Sequence, residues 1–180
     1  GMLGSTHFLE HLLFKGTRTR SALDIAQAFD AVGGESNALT AKEHTCYYAH
    51  VLGEDAPMAA EVIADMTAAA VLDPREMEQE RGVILEELAM DQDDPMDAAF
   101  ERFTGQVMGE HPLGRPIGGT PEEIRAVARD AVAEHYHRHY TPDRLVVSAA
   151  GNLEHAEFVG WVQRALAEAG WDLSDDDALP

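Results

Sequence analysis

Thr6-His7-Phe8-Leu9-Glu10-His11-Leu12-Leu13-Phe14 reads as one helix, with Phe8, Leu9, Leu12 and Leu13 forming a broad apolar surface. Lys15-Gly16-Thr17 ends it, the glycine suiting a left-handed cap. Residues four apart share a helix face, so His7 and His11 can converge on one ion. Glu10, three residues from His7, is close enough to face a water bound to that ion. A hydrolytic metal centre commonly uses three protein ligands and keeps one position for water, whose pKa falls to about 7, where a carboxylate can take its proton. The same pattern also fits two surface histidines beside a helix glutamate. The apolar surroundings favour the metal reading, because an unpaired polar trio in a mostly buried helix is costly.

Working outward, Ser21 and Asp24 make a capping-box-like start for a second helix through Ile25, Phe29 and Val32, closed by Gly33-Gly34. Two strand candidates follow, Glu35 to Ala41 and His44 to Leu52, the second richer in β-formers. Pro57 leads into an alanine-rich helix over Met58 to Val71. Asp73-Pro74-Arg75-Glu76 restarts the chain with an N-cap, a first-turn proline and an acidic residue three on, predicting a helix to about Asp93. A further helix is predicted over Met96 to Met108, then a Gly/Pro-rich loop over His111 to Gly119. Thr120-Pro121-Glu122-Glu123 opens another helix, carried on toward Tyr136. Leu145 to Ala150 reads as a short strand buried on both faces, and Ala156 to Ala169 as a last amphipathic helix. Helices outnumber strands without regular alternation, which points to α+β rather than a doubly wound sheet.

Glu78-Gln79-Glu80-Arg81-Gly82-Val83-Ile84-Leu85-Glu86-Glu87-Leu88 is the second informative stretch. Glu80 and Glu87 lie two turns apart and share a face, while Glu86 is turned about 100° away. Read from spacing alone, the stretch also fits a charged solvent face paired to Arg81, and for Glu86 that reading is preferred. His135, His137 and His139 read as a helix end, no carboxylate or cysteine being placed to complete a metal pair there. His44, His50, His111 and His155 read as local hydrogen-bonding residues.

The order H-x-x-E-H inverts the commoner H-E-x-x-H and is the inverzincin signature among zinc peptidases. With its surroundings, the chain resembles the pitrilysin, insulin-degrading enzyme and mitochondrial processing peptidase family, nearest to bacterial processing-peptidase-like members. His7 to Thr17, HFLEHLLFKGT, resembles the β-type processing peptidase segment almost residue for residue. Gly33-Gly34 with Asn37-Ala38-Leu39-Thr40, then Glu43 and Thr45, matches the family's glycine pair and cleft-lining strand. His111-Pro112-Leu113-Gly114, Gly118, Thr120, Tyr140 and Pro142 match its later landmarks. The family's E-R-x-V-x-L-x-E helix lies some 76 residues past the second histidine, and here 87 − 11 = 76.

The resemblance implies that His7, His11 and Glu87 ligate Zn2+, that Glu10 is the catalytic general base, and that Glu80 orients a ligand from behind. It implies that Asn37 and Ala38 lie on an edge strand that binds substrate by β-addition. It implies an α+β half-domain of antiparallel-rich sheet and helices over residues 1–172. The Asp175-Asp176-Asp177 run reads as part of an acidic linker or tail over 173–180. The expected activity is zinc-dependent endopeptidase cleavage of peptides or unstructured segments. The expected partner is a second similar half, in the same chain or another copy, needed to close the chamber. The chain opens directly on the motif, so the first strands of the domain are expected to be missing, leaving a sheet edge open to pairing. A non-catalytic partner subunit, or a peptide-binding module dimerising through that edge, are the alternatives.

The 33 acidic against 13 basic residues give a formal charge of −20, which disfavours nucleic acid and anionic membrane as partners. A basic peptide would be attracted, but from the charge alone a merely solvated surface is the preferred reading. No run approaches the roughly 20 apolar residues of a membrane span, and no secretion signal is read at the start. The single cysteine, Cys46, excludes an internal disulfide and fits a reducing, cytoplasmic compartment. It is expected to be a small buried residue.

Overall fold

The computed structural model describes residues 3–173 of the 180. Eight α-helices run in order among them: α1 (Ser5–Leu13), α2 (Ala22–Asp30), α3 (Ala56–Ala69), α4 (Pro74–Asp93), α5 (Pro95–Met108), α6 (Pro121–Ala126), α7 (Arg129–His139) and α8 (His155–Glu168). Between α2 and α3, β1 (Glu35–Thr40) and β2 (Thr45–His50) pair as a two-stranded antiparallel sheet. The expected α+β class holds, with a smaller sheet than expected. The acidic run Asp175 to Asp177 lies outside the described residues.

Local signals set the helix starts. Ser21 accepts from the Asp24 backbone while the Asp24 carboxylate accepts from Ser21, completing the box that begins α2. Asp73 takes the Arg75 and Glu76 amides at 2.7 and 3.3 Å, and Pro74 occupies the first helical position of α4. Thr120 and Glu123 form the reciprocal box of α6.

The chain divides into two compact units. The first comprises, of the described residues, 3–12, 39–46 and 72–135. Its buried side chains include Phe8, Leu9 and Leu12 of α1, Met77 and Ile84 of α4, Ile124 of α6, Val127, and Val132 of α7. Each such burial is worth about 1.5–3 kcal/mol, so these apolar residues, rather than the polar ones, fix how α1 is rotated. Arg81 fastens the unit from within. Its guanidinium lies 5.5 Å from the Phe8 ring centroid and donates to the carbonyls of Ile124 and Val127, the latter at 3.0 Å.

Those two carbonyls lie where the predicted single helix from Thr120 to Tyr136 in fact breaks into α6 and α7. Val127 is extended, with φ −63° and ψ 124°, and Arg81 satisfies carbonyls that a continuous helix would have bonded internally. The residue that satisfies the freed carbonyls sits on α4, outside the stretch from 120 to 136.

The second unit comprises residues 13–38, 47–71 and, of the described residues, 136–173. Ile25 and Phe29 of α2 pack with Ala59, Val62 and Met66 of α3, flanked by Tyr47, Ala49 and Val51. On α3's other side, Ala64 packs with Ala165 and Leu166 of α8. Asp65, buried, accepts from Thr17 at 2.6 Å, Thr19 at 2.8 Å and Arg20 at 2.8 Å. The Tyr136 hydroxyl donates to the Thr67 carbonyl at 2.8 Å and accepts the Ala70 amide.

Two sequence expectations are corrected here. Leu145 to Ala150 forms no ladder, and Val146 is 89% exposed rather than buried on both faces. A strand exists only with a neighbour to pair with, and the described sheet holds β1 and β2 alone. Cys46 is exposed, because β2 alternates and turns Thr45, Tyr47 and Ala49 inward, leaving Cys46, Tyr48 and His50 outward.

Candidate metal centre

Burial of Phe8, Leu9, Leu12 and Leu13 leaves the opposite arc of α1 to His7, Glu10 and His11, all half-buried. The helix is placed by Gly4, whose carbonyl accepts the Phe8 amide at 2.9 Å. Gly4 has φ +79°, and a Cβ there would stand 2.6 Å from the Gly118 carbonyl oxygen. Only glycine fits that turn.

The α1 face and α4 bring three donor atoms to one point. His7 Nε2 and His11 Nε2 lie 3.4 Å apart, and Glu87 Oε2 is 3.4 Å from the His11 nitrogen and 3.8 Å from the His7 nitrogen. Ligands at about 2.0–2.1 Å from a tetrahedral ion sit about 3.3 Å from one another. The observed spacings therefore suit a single small cation, and this set meets metal-ligand spacing among the described residues. The two imidazoles meet edge to face, at 84°, so both nitrogens reach the same point without stacking.

Glu80, buried on α4, takes His11 Nδ1 at 3.0 Å. An ionised carboxylate only accepts, so the proton belongs on Nδ1 and the Nε2 lone pair is turned toward Glu87 and His7. Burial pushes the His7 imidazole below its ordinary value, aided by neighbouring His11 and opposed by Glu10, Glu87 and Asp91. Near neutral pH His7 is thus an uncharged nitrogen donor. Its Nδ1 is buried with no hydrogen-bond partner among the described residues.

Glu10 Oε2 accepts from the Thr40 hydroxyl at the end of β1. Thr45 Oγ1, opposite on β2, lies 3.5 Å from Thr40 Oγ1. Sequence reading did not assign Thr40 a role. The signal was there in the alternation of β1, which turns Ser36, Ala38 and Thr40 to one side and Asn37 and Leu39 to the other.

The structure thus assembles His7, Glu10, His11, Glu80 and Glu87 within one compact unit. Glu86 is exposed, as expected of a solvent face, and Arg81 pairs with Glu78 at 2.9 Å. Asn37 and Ala38 lie on β1 in the other unit, where the Asn37 side chain is exposed and its Oδ1 accepts the Ala38 amide at 2.8 Å. That contact is local to the strand. His135, expected only as part of a helix end, is 3.0 Å from the Thr6 hydroxyl.

Comparison with known proteins adds three findings. The model for Insulinase (Peptidase family M16) matches residues 2–121, and that for the Peptidase M16 inactive domain matches residues 126–173. A Streptomyces coelicolor protein described as an uncharacterized zinc protease is 50% identical over 98% of this chain and 38% of its own length. A Mycobacterium tuberculosis protein with the same description is 52% identical over 89% of this chain and 36% of its own. A protease from Helicobacter pylori has a similar fold, with TM-score 0.88 and 24% identity over 98% of this chain and 43% of that one. The chain spans less than half the length of each. No helix among the described residues is long and apolar enough to cross a membrane.

Proposed function

This chain belongs to the insulinase family, peptidase family M16, and from that premise we propose that it is the catalytic half of a zinc-dependent endopeptidase. The observation that carries the reading is the convergence of His7, His11 and Glu87 at 3.4–3.8 Å, with Glu10 on the same helix face. His7, His11 and Glu87 would hold the ion. Zinc, when bound, supplies Lewis acidity toward a substrate carbonyl and toward water. Glu10 takes the proton from the attacking water and returns it to the leaving amine, so that neither hydroxide nor an amide anion is released. Glu80 holds His11 in the tautomer that presents Nε2.

The substrate is an extended or unstructured peptide, which Asn37 and Ala38 would hold through the backbone of β1. The charge of −20 favours a basic one, and raised salt should then weaken cleavage. The match of residues 126–173 to the inactive-domain model, with the short coverage of the relatives, supports a second half-domain or a further copy as partner. The intact donor set counts against a non-catalytic subunit. The single cysteine supports a reducing, cytoplasmic location.

The test is metal analysis of the purified protein, paired with cleavage of unstructured peptides by wild type and Glu10→Gln. The reading expects about one zinc per chain in both, and cleavage by wild type alone. Zinc bound with no cleavage by either would leave a binding module. No zinc under zinc-replete conditions would remove the ligand assignment.

A further inference from the structure

We propose that Thr40 is a positioning residue for Glu10, a role that rests on the peptidase reading above. A glutamate side chain has three rotatable bonds, and α1 fixes only the first atoms of Glu10. The Thr40 hydroxyl donates to Glu10 Oε2 across 30 residues of sequence, from a different element. A hydroxyl has one proton to give, and a carboxylate only accepts. Thr45 Oγ1, at 3.5 Å, is too far for an ordinary hydroxyl–hydroxyl bond, so the Thr40 proton goes to Glu10.

Three features make this a positioning contact rather than incidental strand chemistry. Thr40 and Thr45 are both on the inward side of the hairpin, facing away from Asn37 and Leu39. The hydroxyl engages Oε2, leaving Oε1 to meet a water. And β1 does not need the hydroxyl, since valine has the same branched shape and equal strand preference. Removing the oxygen while keeping the shape isolates the contact. The effect expected is one of orientation, seen in turnover and not in substrate affinity, because a misdirected base still allows the peptide to bind.

Wild type, Thr40→Val, Thr40→Ser, Glu10→Gln and Glu10→Ala would be compared for kcat, KM, zinc affinity by chelator competition, and the Thr40 hydroxyl proton by NMR. The proposal expects Thr40→Val to lose about 10- to 100-fold in kcat, with KM and zinc affinity unchanged. Thr40→Ser should recover most of that loss, since it restores the hydroxyl without the methyl. The hydroxyl proton should exchange slowly in wild type and rapidly in Glu10→Ala. A Thr40→Val protein with wild-type kcat would overturn the proposal. So would a Thr40→Ser protein as slow as Thr40→Val, or zinc affinity lost in Thr40→Val, which would make the residue structural. If wild type itself does not cleave, it is the peptidase reading that fails. The Thr40 contact then stands or falls on the hydroxyl proton alone.

Discussion

His11 Nδ1 lies 3.0 Å from the buried carboxylate of Glu80, and the same imidazole turns its Nε2 to within 3.4 Å of Glu87, one helix α4 thus supporting both nitrogens of one ring. A carboxylate behind a ligating histidine fixes the ring's tautomer and orientation and raises its basicity.

Glu80→Ala should therefore weaken zinc binding by about 10- to 100-fold, although Glu80 is not itself among the converging donor atoms. Chelator competition on the purified protein measures this directly. Glu80→Gln, which can still accept from Nδ1 through its carbonyl oxygen, should lose less than alanine. Equal zinc affinity in all three proteins would show that Glu80 merely fills space beside His11.

Asp65 collects donors from Thr17, Thr19 and Arg20 in the second unit. Asp65→Ala leaves two hydroxyls and a guanidinium without their acceptor. Removing one member of a buried pair costs about 3–5 kcal/mol, and the lower end applies here because Arg20 keeps Glu61 at 2.5 Å. Chemical denaturation should show the midpoint falling with an unchanged slope. A loss under about 0.5 kcal/mol would mean that water replaces Asp65 at no cost.

Tyr136 is buried between Thr67 and Ala70, and burial pushes its hydroxyl from 10.0 up to about 12. In the unfolded chain the phenol loses its proton near pH 10, while in the folded chain it keeps it. Between those values the unfolded state binds fewer protons, so stability falls as pH rises. The stabilisation is complete below pH 10 and is lost toward pH 12, by roughly 2–3 kcal/mol if the full shift is expressed. Thermal unfolding of Tyr136→Phe should show a shallower decline over that window than wild type. It should also show about 1 kcal/mol lower stability at neutral pH, from the lost bond to the Thr67 carbonyl. Parallel declines for the two proteins would assign the alkaline sensitivity elsewhere.

What the sequence made legible was whatever one element decides by itself. Ser21 with Asp24, Asp73 with Pro74, and Thr120 with Glu123 each begin a helix within about a residue of the expected place, because a cap is a bond between neighbours. The site was legible for a similar reason on α1, where helical spacing puts His7, Glu10 and His11 on one face. The approach of Glu80 and Glu87 was legible only through family resemblance. What stayed hidden depends on residues far along the chain. Arg81 takes the Ile124 carbonyl at the break between α6 and α7 from 43 residues away, and Thr40 reaches Glu10 from 30. Leu145 to Ala150 carries strand-forming residues but pairs with no strand among the described residues, and composition does not report whether a neighbour is in place.

Gly4 is where backbone geometry and metal site meet, and it gives the strictest test of how α1 is held. An alanine there must adopt φ +79°, a region costing an L-residue about 1–2 kcal/mol. Its Cβ would also come within 2.6 Å of the Gly118 carbonyl oxygen and 2.7 Å of Ile124 Cδ1. The isoleucine methyl can swing aside. The Gly118 carbonyl is backbone and cannot, so the turn before α1 has to move. Because the Gly4 carbonyl accepts the Phe8 amide, that movement passes to the first turn of the helix and to His7 within it. Gly4→Ala should then lose about 2–4 kcal/mol of stability and weaken zinc binding as well. Ala26→Gly, an exposed change within α2, provides a control in which stability falls by about 1 kcal/mol or less while zinc affinity is unchanged. If Gly4→Ala destabilised the chain yet bound zinc as tightly as wild type, His7 would have to be held by the buried face of α1 alone, through Phe8, Leu9 and Leu12.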